Sequence, residues 1–234
     1  FDYIDIDPFG CPNPFLSSPI MRIKRDAILA VTATDTAALT GTYPKVTKRK
    51  YWAVSLKNYM MHETGLRILI RKVQLQGIQF DKALIPILSY HKDHYFRVYF
   101  RVLKGKQKCD ELVKQHQYLL YNPKTSEYKT SPYNEGYFSG PLWTGKLFDK
   151  KLVTYMAKNN PYLEEQKFLD LLQEDAKKDQ VGFYDLHVLA KKYKMDPQKM
   201  SLVLKKLKAA RTHFSPNGIK TEKDIKEIRK VMKK

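Results

Sequence analysis

The chain is poor in cysteine. Its 234 residues hold two, Cys11 and Cys109, too few for a disulfide framework and in keeping with a reducing cytoplasm. No apolar stretch is long enough to cross a bilayer. The apolar start is broken by Asp2, Asp5 and Asp7 and lacks the basic segment of a secretory signal. The ten glycines stand at 10, 41, 65, 77, 105, 136, 140, 145, 182 and 218, and no two have G-x-G spacing. The glycine-rich turn on which a strand and a helix N-terminus meet a nucleoside cofactor is therefore missing. Acidic residues are outnumbered, with 24 Asp plus Glu against 43 Lys plus Arg, a formal charge of +19. With 16 Tyr and 11 Phe among them, this basic excess points to a polyanion, and to nucleic acid over membrane. A merely soluble basic protein is the alternative.

What is present reads as two regions. In residues 1–105 strands alternate with helices. Residues 1–7 form a buried strand and residues 15–24 a short helix despite Pro19. Residues 26–34 form a second strand, near-continuously apolar as in a parallel sheet covered on both faces. Residues 35–50 read as a long loop rich in Thr, Gly and Lys. Residues 55–75 are helical, and strands at 84–90 and 95–103 close the region as an antiparallel hairpin. The order β-α-β-α-β-β is that of the second half of a class I (Rossmann-like) methyltransferase sheet. Its expected first half is not in the chain, which opens in mid-strand without Met. The chain therefore reads as the C-terminal part of a longer enzyme or as one piece of a split one. A complete protein processed at its N-terminus is the alternative.

Residues 106–234 read as a mostly helical C-terminal domain. A small hairpin is expected from 117–121 and 127–130, and residues 136–145 (GYFSGPLWTG) read as a connector. Helices follow at 146–158, after Asn160 with Pro161 at its first position, at 183–193, from Asp196-Pro197 to near Arg211, and after a Thr221 cap. Residues 212–221 are long enough for a wing, which suggests a winged-helix-like module lying on nucleic-acid backbone. An all-helical packing domain is the alternative.

The chemistry concentrates in Asp7-Pro8-Phe9-Gly10, at the end of the first strand. An exocyclic base amine is a weak nucleophile because its lone pair is delocalised into the ring. A carboxylate that accepts its N–H holds the group and tolerates the positive charge of methyl transfer. Pro8 leaves a carbonyl free as a second acceptor, Phe9 stacks on the base, and Gly10 allows a sharp turn. An ordinary strand-to-loop turn draws on the same residue types. Thr32, Thr34 and Asp35 end the second strand near the same edge, where they either shape a base pocket or satisfy the turn. His62, His91, His94 and His187 have no metal-ligand spacing and read as structural.

Several segments together carry a family likeness. They are DIDPFG at 5–10 with Asn13-Pro14-Phe15 after it, AVTATDTAALTGTYP at 30–44, HETGLRILIR at 62–71, LSY at 88–90 with HYFRVY at 94–99, GPLW with Gly145 at 140–145, and RTHF at 211–214 with GIKT at 218–221. In this order they resemble the tRNA (guanine(26)-N2)-dimethyltransferase family, of an archaeal type, over nearly the whole chain.

The resemblance implies S-adenosylmethionine as donor and one or two methyl transfers to the N2 amine of guanine 26 in tRNA. Asp7, Pro8, Phe9 and Gly10 match the family's catalytic motif. Thr34, Asp35 and Tyr43 are expected around the base. Lys45, Lys48, Arg49, Lys50, Arg67, Arg71, Arg211, His213 and Lys220 are expected on tRNA, although Arg67 and Arg71 at i, i+4 also suit a solvated helix face. Most cofactor contacts are expected upstream of the chain, in the same polypeptide or in a separate N-terminal chain. The chain is expected to be inactive without them, so a tRNA-binding fragment is one alternative. An adenine-N6 DNA methyltransferase, with its similar motif, is another.

The sequence departs from the family at two points. Cys11 stands where serine is frequent. A cysteine nucleophile is not expected from it, since methylating an amine needs no covalent intermediate. The zinc-binding cysteine cluster of many archaeal relatives is missing, so no zinc is expected.

Overall fold

The computed structural model describes residues 1–196 and 198–233. Strand β1 (Tyr3–Ile6) runs parallel to β2 (Ile28–Ala33), from Tyr3 opposite Ile28 to Ile6 opposite Val31. Strands β3 (Lys82–Lys92) and β4 (Tyr95–Lys104) form the expected hairpin, turning at Asp93 in the left-handed conformation that Asp tolerates. Strand β4 lies antiparallel to both β2 and β3, so the sheet order is β1-β2-β4-β3 and the sheet is mixed. The run ILAVTA of β2 is apolar because this strand lies inside the sheet with both faces covered.

Helix α1 (Ser17–Arg22) follows β1. Residues 35–50, expected as a loop, instead fold into α2 (Thr36–Leu39) and α3 (Pro44–Tyr51). Gly41, at a φ of 84°, turns the chain between them, and Pro44 begins α3 where a missing N–H costs nothing. Lys48, Arg49 and Lys50 fill the last turn of α3, the end a helix dipole makes negative. The long helix α4 (Met61–Ile78) packs Leu66, Leu69, Ile70 and Val73 into one core with Leu29, Val31, Phe96, Val98 and Phe100 of the sheet. Gly77 allows its close approach to the start of β3, because a Cβ there would lie 2.7 Å from the Lys82 carbonyl.

After α5 (Lys106–Val113), strands β5 (His116–Tyr121), β6 (Tyr128–Ser131) and β7 (Phe138–Trp143) form an antiparallel sheet of order β6-β5-β7. Strand β7 replaces the expected connector, since Leu142 and Trp143 are core residues and the backbone pairs with β5. Helices α6 (Lys150–Lys158) and α7 (Gln166–Asp175) follow. Asn160 does not cap α7, which starts after a 3₁₀ turn at Leu163–Glu165.

The C-terminal elements are β8 (Tyr184–Asp185), α8 (Leu186–Tyr193), α9 (Met200–Leu207), β9 (Ala210–Arg211), β10 (Gly218–Lys220) and α10 (Ile225–Met232). The strands pair antiparallel in the order β8-β10-β9. Leu189, Val203, Ile219, Ile228 and Met232 form a second core. The segment between β9 and β10 is six residues, 212–217, because Gly218–Lys220 pairs as a strand. Pro197, expected to open a helix, lies outside the described residues. Asp224, not Thr221, caps α10 by accepting the Glu227 N–H at 2.8 Å, while the Thr221 hydroxyl donates to the Leu207 carbonyl.

Two half-buried histidines are expected to make this fold acid-sensitive. Burial, reinforced by His62, His213 and His94, pushes His91 down to about 3. Burial and the nearby Arg71 push His116 down to about 4. In the unfolded chain both sit near ~6.5. The unfolded state therefore takes up more protons between about pH 4 and 6.5, and stability falls as pH drops through that window. His116→Gln is expected to narrow the difference between the urea midpoints at pH 7 and pH 5.

Candidate active site

Three aspartates mark the path of the first strand, at positions 2, 5 and 7, and their surroundings separate the last two. Asp5 lies on β1 and takes a bidentate pair of bonds from Arg97 of β4, at 2.8 and 2.6 Å. Arg97 also donates to the Thr32 hydroxyl, and its guanidinium lies 4.7 Å from the Tyr99 ring centre. The bonds from Arg97 hold the Asp5 carboxyl below the usual carboxylate range. Asp5 thereby staples β1 across β2 to β4.

Asp7 stands just beyond the strand, exposed, and no side chain among the described residues bonds or pairs with it. Phe9 beside it is fully exposed. Gly10, at a φ of 88°, turns the loop. Its N–H donates to the Thr34 hydroxyl at 2.6 Å, and the Thr34 N–H donates back to the Gly10 carbonyl at 3.0 Å. The loop after β1 is thus tied to the loop after β2, as parallel neighbouring strands permit.

Asp35 follows Thr34, and both of its oxygens are taken. The Tyr51 hydroxyl donates to one at 2.5 Å, and Lys50 lies 3.3 Å from the other. Of the three residues expected around a base, Thr34 is bonded to Gly10, Asp35 is paired with α3, and Tyr43 is exposed at the start of α3. Lys45, Lys48 and Arg49 are exposed on α3, and Lys50 is half-buried against Asp35. The structure therefore brings Asp7, Phe9, Thr34, Asp35 and the basic face of α3 to one edge of the sheet. Sequence reasoning missed Tyr51, because reading 35–50 as a loop hid the helix that aims it. The start signal was Pro44, after Gly41 and Thr42.

Other expected tRNA contacts are corrected by burial. Arg67 is fully buried. It bonds Glu63 at 2.8 Å and donates to the carbonyls of Trp143, Gly145 and Gln180. Lys220 is fully buried between Asp175, at 3.1 Å, and Glu63, at 3.7 Å. The His213 ring is enclosed and bonds Asp175 through Nδ1 at 2.6 Å. Burial would raise the Asp175 carboxyl, but Lys220, His213 and Thr212 outweigh it and hold the group well below the carboxylate range. The side chains of Arg67, Lys220 and His213 are thus all enclosed within the fold. Arg71 is half-buried, with burial lowering its guanidinium pKa, and Arg211 is half-buried beside Glu174. The i, i+4 spacing of Glu63 and Arg67 was the signal that an internal ion pair was available.

Among the described residues no three His, Cys, Asp or Glu side chains gather as a metal site. His116 is turned toward Gln74, and Cys109 is buried on α5. No helix of the described residues is long and apolar enough to cross a membrane.

Residues 1–233 match the model of the family described as N2,N2-dimethylguanosine tRNA methyltransferase. The chain belongs to this family. It is 39% identical, over 99% of its own length and 64% of the relative's, to the tRNA (guanine(26)-N(2)/guanine(27)-N(2))-dimethyltransferase of Aquifex aeolicus. It is 38% identical to the tRNA (guanine(26)-N(2))-dimethyltransferase of Pyrococcus furiosus, over its whole length and 65% of that protein. Among solved structures it resembles Trm1 from Pyrococcus horikoshii, in complex with S-adenosyl-L-methionine, at a TM-score of 0.92 and 35% identity. That likeness covers all of this chain and 66% of the other. The chain thus spans about two thirds of the length of these family members.

The buried pairs give a first test. Lys220→Met leaves Asp175 enclosed without its cation, and urea unfolding at pH 7 is expected to show a loss of about 3–5 kcal/mol.

Proposed function

We propose that this chain supplies the guanine-facing half of an S-adenosylmethionine-dependent enzyme that methylates, once or twice, the N2 amine of guanine 26 in tRNA. The observation that carries this reading is Asp7. It is exposed, with no side-chain partner among the described residues, beside an exposed Phe9 at the end of β1, while Asp5 two residues earlier is fully engaged.

The donor, when bound, supplies an electrophilic methyl group. No two glycines of the sequence have G-x-G spacing and β1 is an edge strand of its sheet, which suits a donor site completed by further residues. Its contacts are assigned to the third of the family's length outside the matched span, as a preceding segment or a separate chain. The sheet order β1-β2-β4-β3 suits the second half of a class I methyltransferase sheet. In the same reading the division falls at 1–105 and 106–234, and the enzyme works in the cytoplasm. The succession β8-α8-α9-β9-β10 makes a winged-helix-like unit within the tRNA-binding part.

Guanine presents N1–H and N2–H along one edge, and a single carboxylate accepts both. Asp7 in this role holds the amine, favours its lone pair for attack and rejects adenine, which has no such pair of donors. The Pro8 carbonyl accepts the second N2 proton, and Phe9 stacks on a base extruded from its helix. After the first transfer the amine loses a proton to Asp7 or water. Rotation then returns its remaining N–H to Asp7 for the second transfer. The exposed side chains of Tyr43, Lys45, Lys48 and Arg49, with Lys50 behind them, line the approach of the RNA.

In the complete enzyme, Asp7→Ala is expected to bind tRNA normally and transfer no methyl group, measured by incorporation of labelled methyl. Near-native turnover would refute the role. Replacing Lys45, Lys48 and Arg49 by Ala is expected to flatten the log–log salt dependence of tRNA binding by about 0.7–0.9 for each phosphate left unneutralised. An unchanged slope would remove α3 from the interface.

One alternative rests on the missing glycine-rich turn: the chain by itself is a tRNA-binding unit. Calorimetry with S-adenosylmethionine, on the chain alone and on the complete enzyme, separates the two.

A further inference from the structure

Tyr51 is completely buried, yet its hydroxyl sits where three segments meet. It donates to Asp35 Oδ1 at 2.5 Å and lies 3.3 Å from the Cys11 Sγ. Asp35 occupies the N-cap position of α2, where an aspartate ordinarily accepts a helix N–H. Here its side chain accepts none and is given to Tyr51 and Lys50. That diversion is unexplained by the helix it precedes. It is explained by what lies on either side. Thr34, next in the chain, holds Gly10 by two hydrogen bonds. Cys11, next to Gly10, touches the phenol directly. At the far end of the same loop, the Asn13 side-chain amide donates to the Lys50 carbonyl at 2.8 Å. The C-terminal turn of α3 is thus bonded to the loop after Gly10 at two points and reaches Gly10 through Asp35 and Thr34 at a third.

Asp7 itself has no side-chain tether among the described residues, and Phe9 is bare. The placement of both depends on how firmly the residues after them are held. Burial and the Asp35 carboxylate raise the Tyr51 phenol far above its ordinary range, so the hydroxyl stays protonated and remains a donor. We propose that Tyr51 is a positioning residue, whose hydroxyl locks the loop bearing Asp7 and Phe9 against α3 through Asp35 and Cys11. The catalytic consequence rests on the methyl-transfer reading above, whereas the locking of the loop does not.

The test is Tyr51→Phe, which keeps the ring in the core and removes only the hydroxyl, in the complete enzyme. Of the chain's two cysteines, Cys109 is buried and Cys11 is half-buried. Thiol labelling of Cys11, followed by mass spectrometry of its peptide, therefore reports the loop directly. The expected result is labelling of Cys11 about tenfold faster with Cys109 unchanged. A displacement of order 1 Å lowers rates by up to ~100-fold, so kcat for methylation should fall by roughly 10- to 100-fold while KM for tRNA stays within about twofold. Asp35→Asn, which weakens the same bond, should move both readouts in the same direction and serves if Tyr51→Phe folds poorly.

Unchanged Cys11 labelling would overturn the lock. Faster labelling of Cys109 alongside Cys11, or a rise in KM with kcat intact, would overturn the positioning role by reducing Tyr51 to a core residue. If the native enzyme transfers no methyl group, the functional reading fails by itself, and the labelling rates still decide whether Tyr51 holds the loop.

Discussion

The structure depends on a set of buried charges, those of Glu63, Arg67, Asp175 and Lys220. Two anions and two cations lie close together, with side chains almost or fully inaccessible. Enclosing one such charge alone would cost several kcal/mol. Enclosed together they offset one another, and Arg67 directs its other donors at backbone. Arg67 spans from α4 to the carbonyls of Trp143, Gly145 and Gln180, and Glu63 accepts the Gly182 N–H. Asp175, at the end of α7, accepts from Thr212 and from the His213 backbone beyond β9. Helix α4, β7, α7 and the C-terminal strands therefore have one relative arrangement in which these bonds form together. A hydrophobic contact in their place would bind but would not select so narrowly.

This network also explains which parts of the molecule were legible in the sequence. The strands of the mixed sheet were legible because an apolar run such as that of β2 has few other readings, and the hairpin of β3 and β4 is announced by its short polar turn, whereas β7, β8 and β10 were not read as strands. The turn after β1 was legible because proline and glycine end a strand, whatever chemistry Asp7 serves there. The charged residues were not legible in the same way. Arg67, His213 and Lys220 were read as surface groups because isolated charges belong in water. The partners that make their burial tolerable lie far away in the sequence, Asp175 being 45 positions before Lys220. Only Glu63, four residues before Arg67, was local enough to see. The helical character of residues 36–39 and 44–51 was hidden for a different reason. Gly41 and the threonines mask the helical preference that Ala37, Ala38 and the lysines carry, and Tyr51, buried in the core, anchors the end of α3.

The contrast between Asp5 and Asp7 shows how little separates a structural carboxylate from a chemically available one. Both belong to the same short motif. Asp5, still on the strand, is met by the Arg97 fork and is consumed by it. Asp7 is past the last ladder residue, so no cross-strand partner reaches it. Whatever approaches this edge with paired N–H donors meets a carboxylate that, among the described residues, has no side-chain bond to give up. The cost of breaking an existing ion pair, which would otherwise be set against binding, does not arise.

That availability carries a penalty in placement, and α3 resolves it. A carboxylate left unpaired is also left unsteered, and a loop of proline, phenylalanine and glycine has few side-chain atoms with which to hold itself. The holding groups must come from a neighbouring element, and the neighbour here is the helix whose outer face carries Lys45, Lys48 and Arg49. One short helix thus presents positive charge outward and a hydroxyl inward, eight residues in all. Because the inner bonds end on Asp35 and Cys11 and not on Asp7, the loop is fixed from behind and its front remains open. An arrangement that fixed Asp7 directly would be more rigid and would leave its carboxylate no free acceptor.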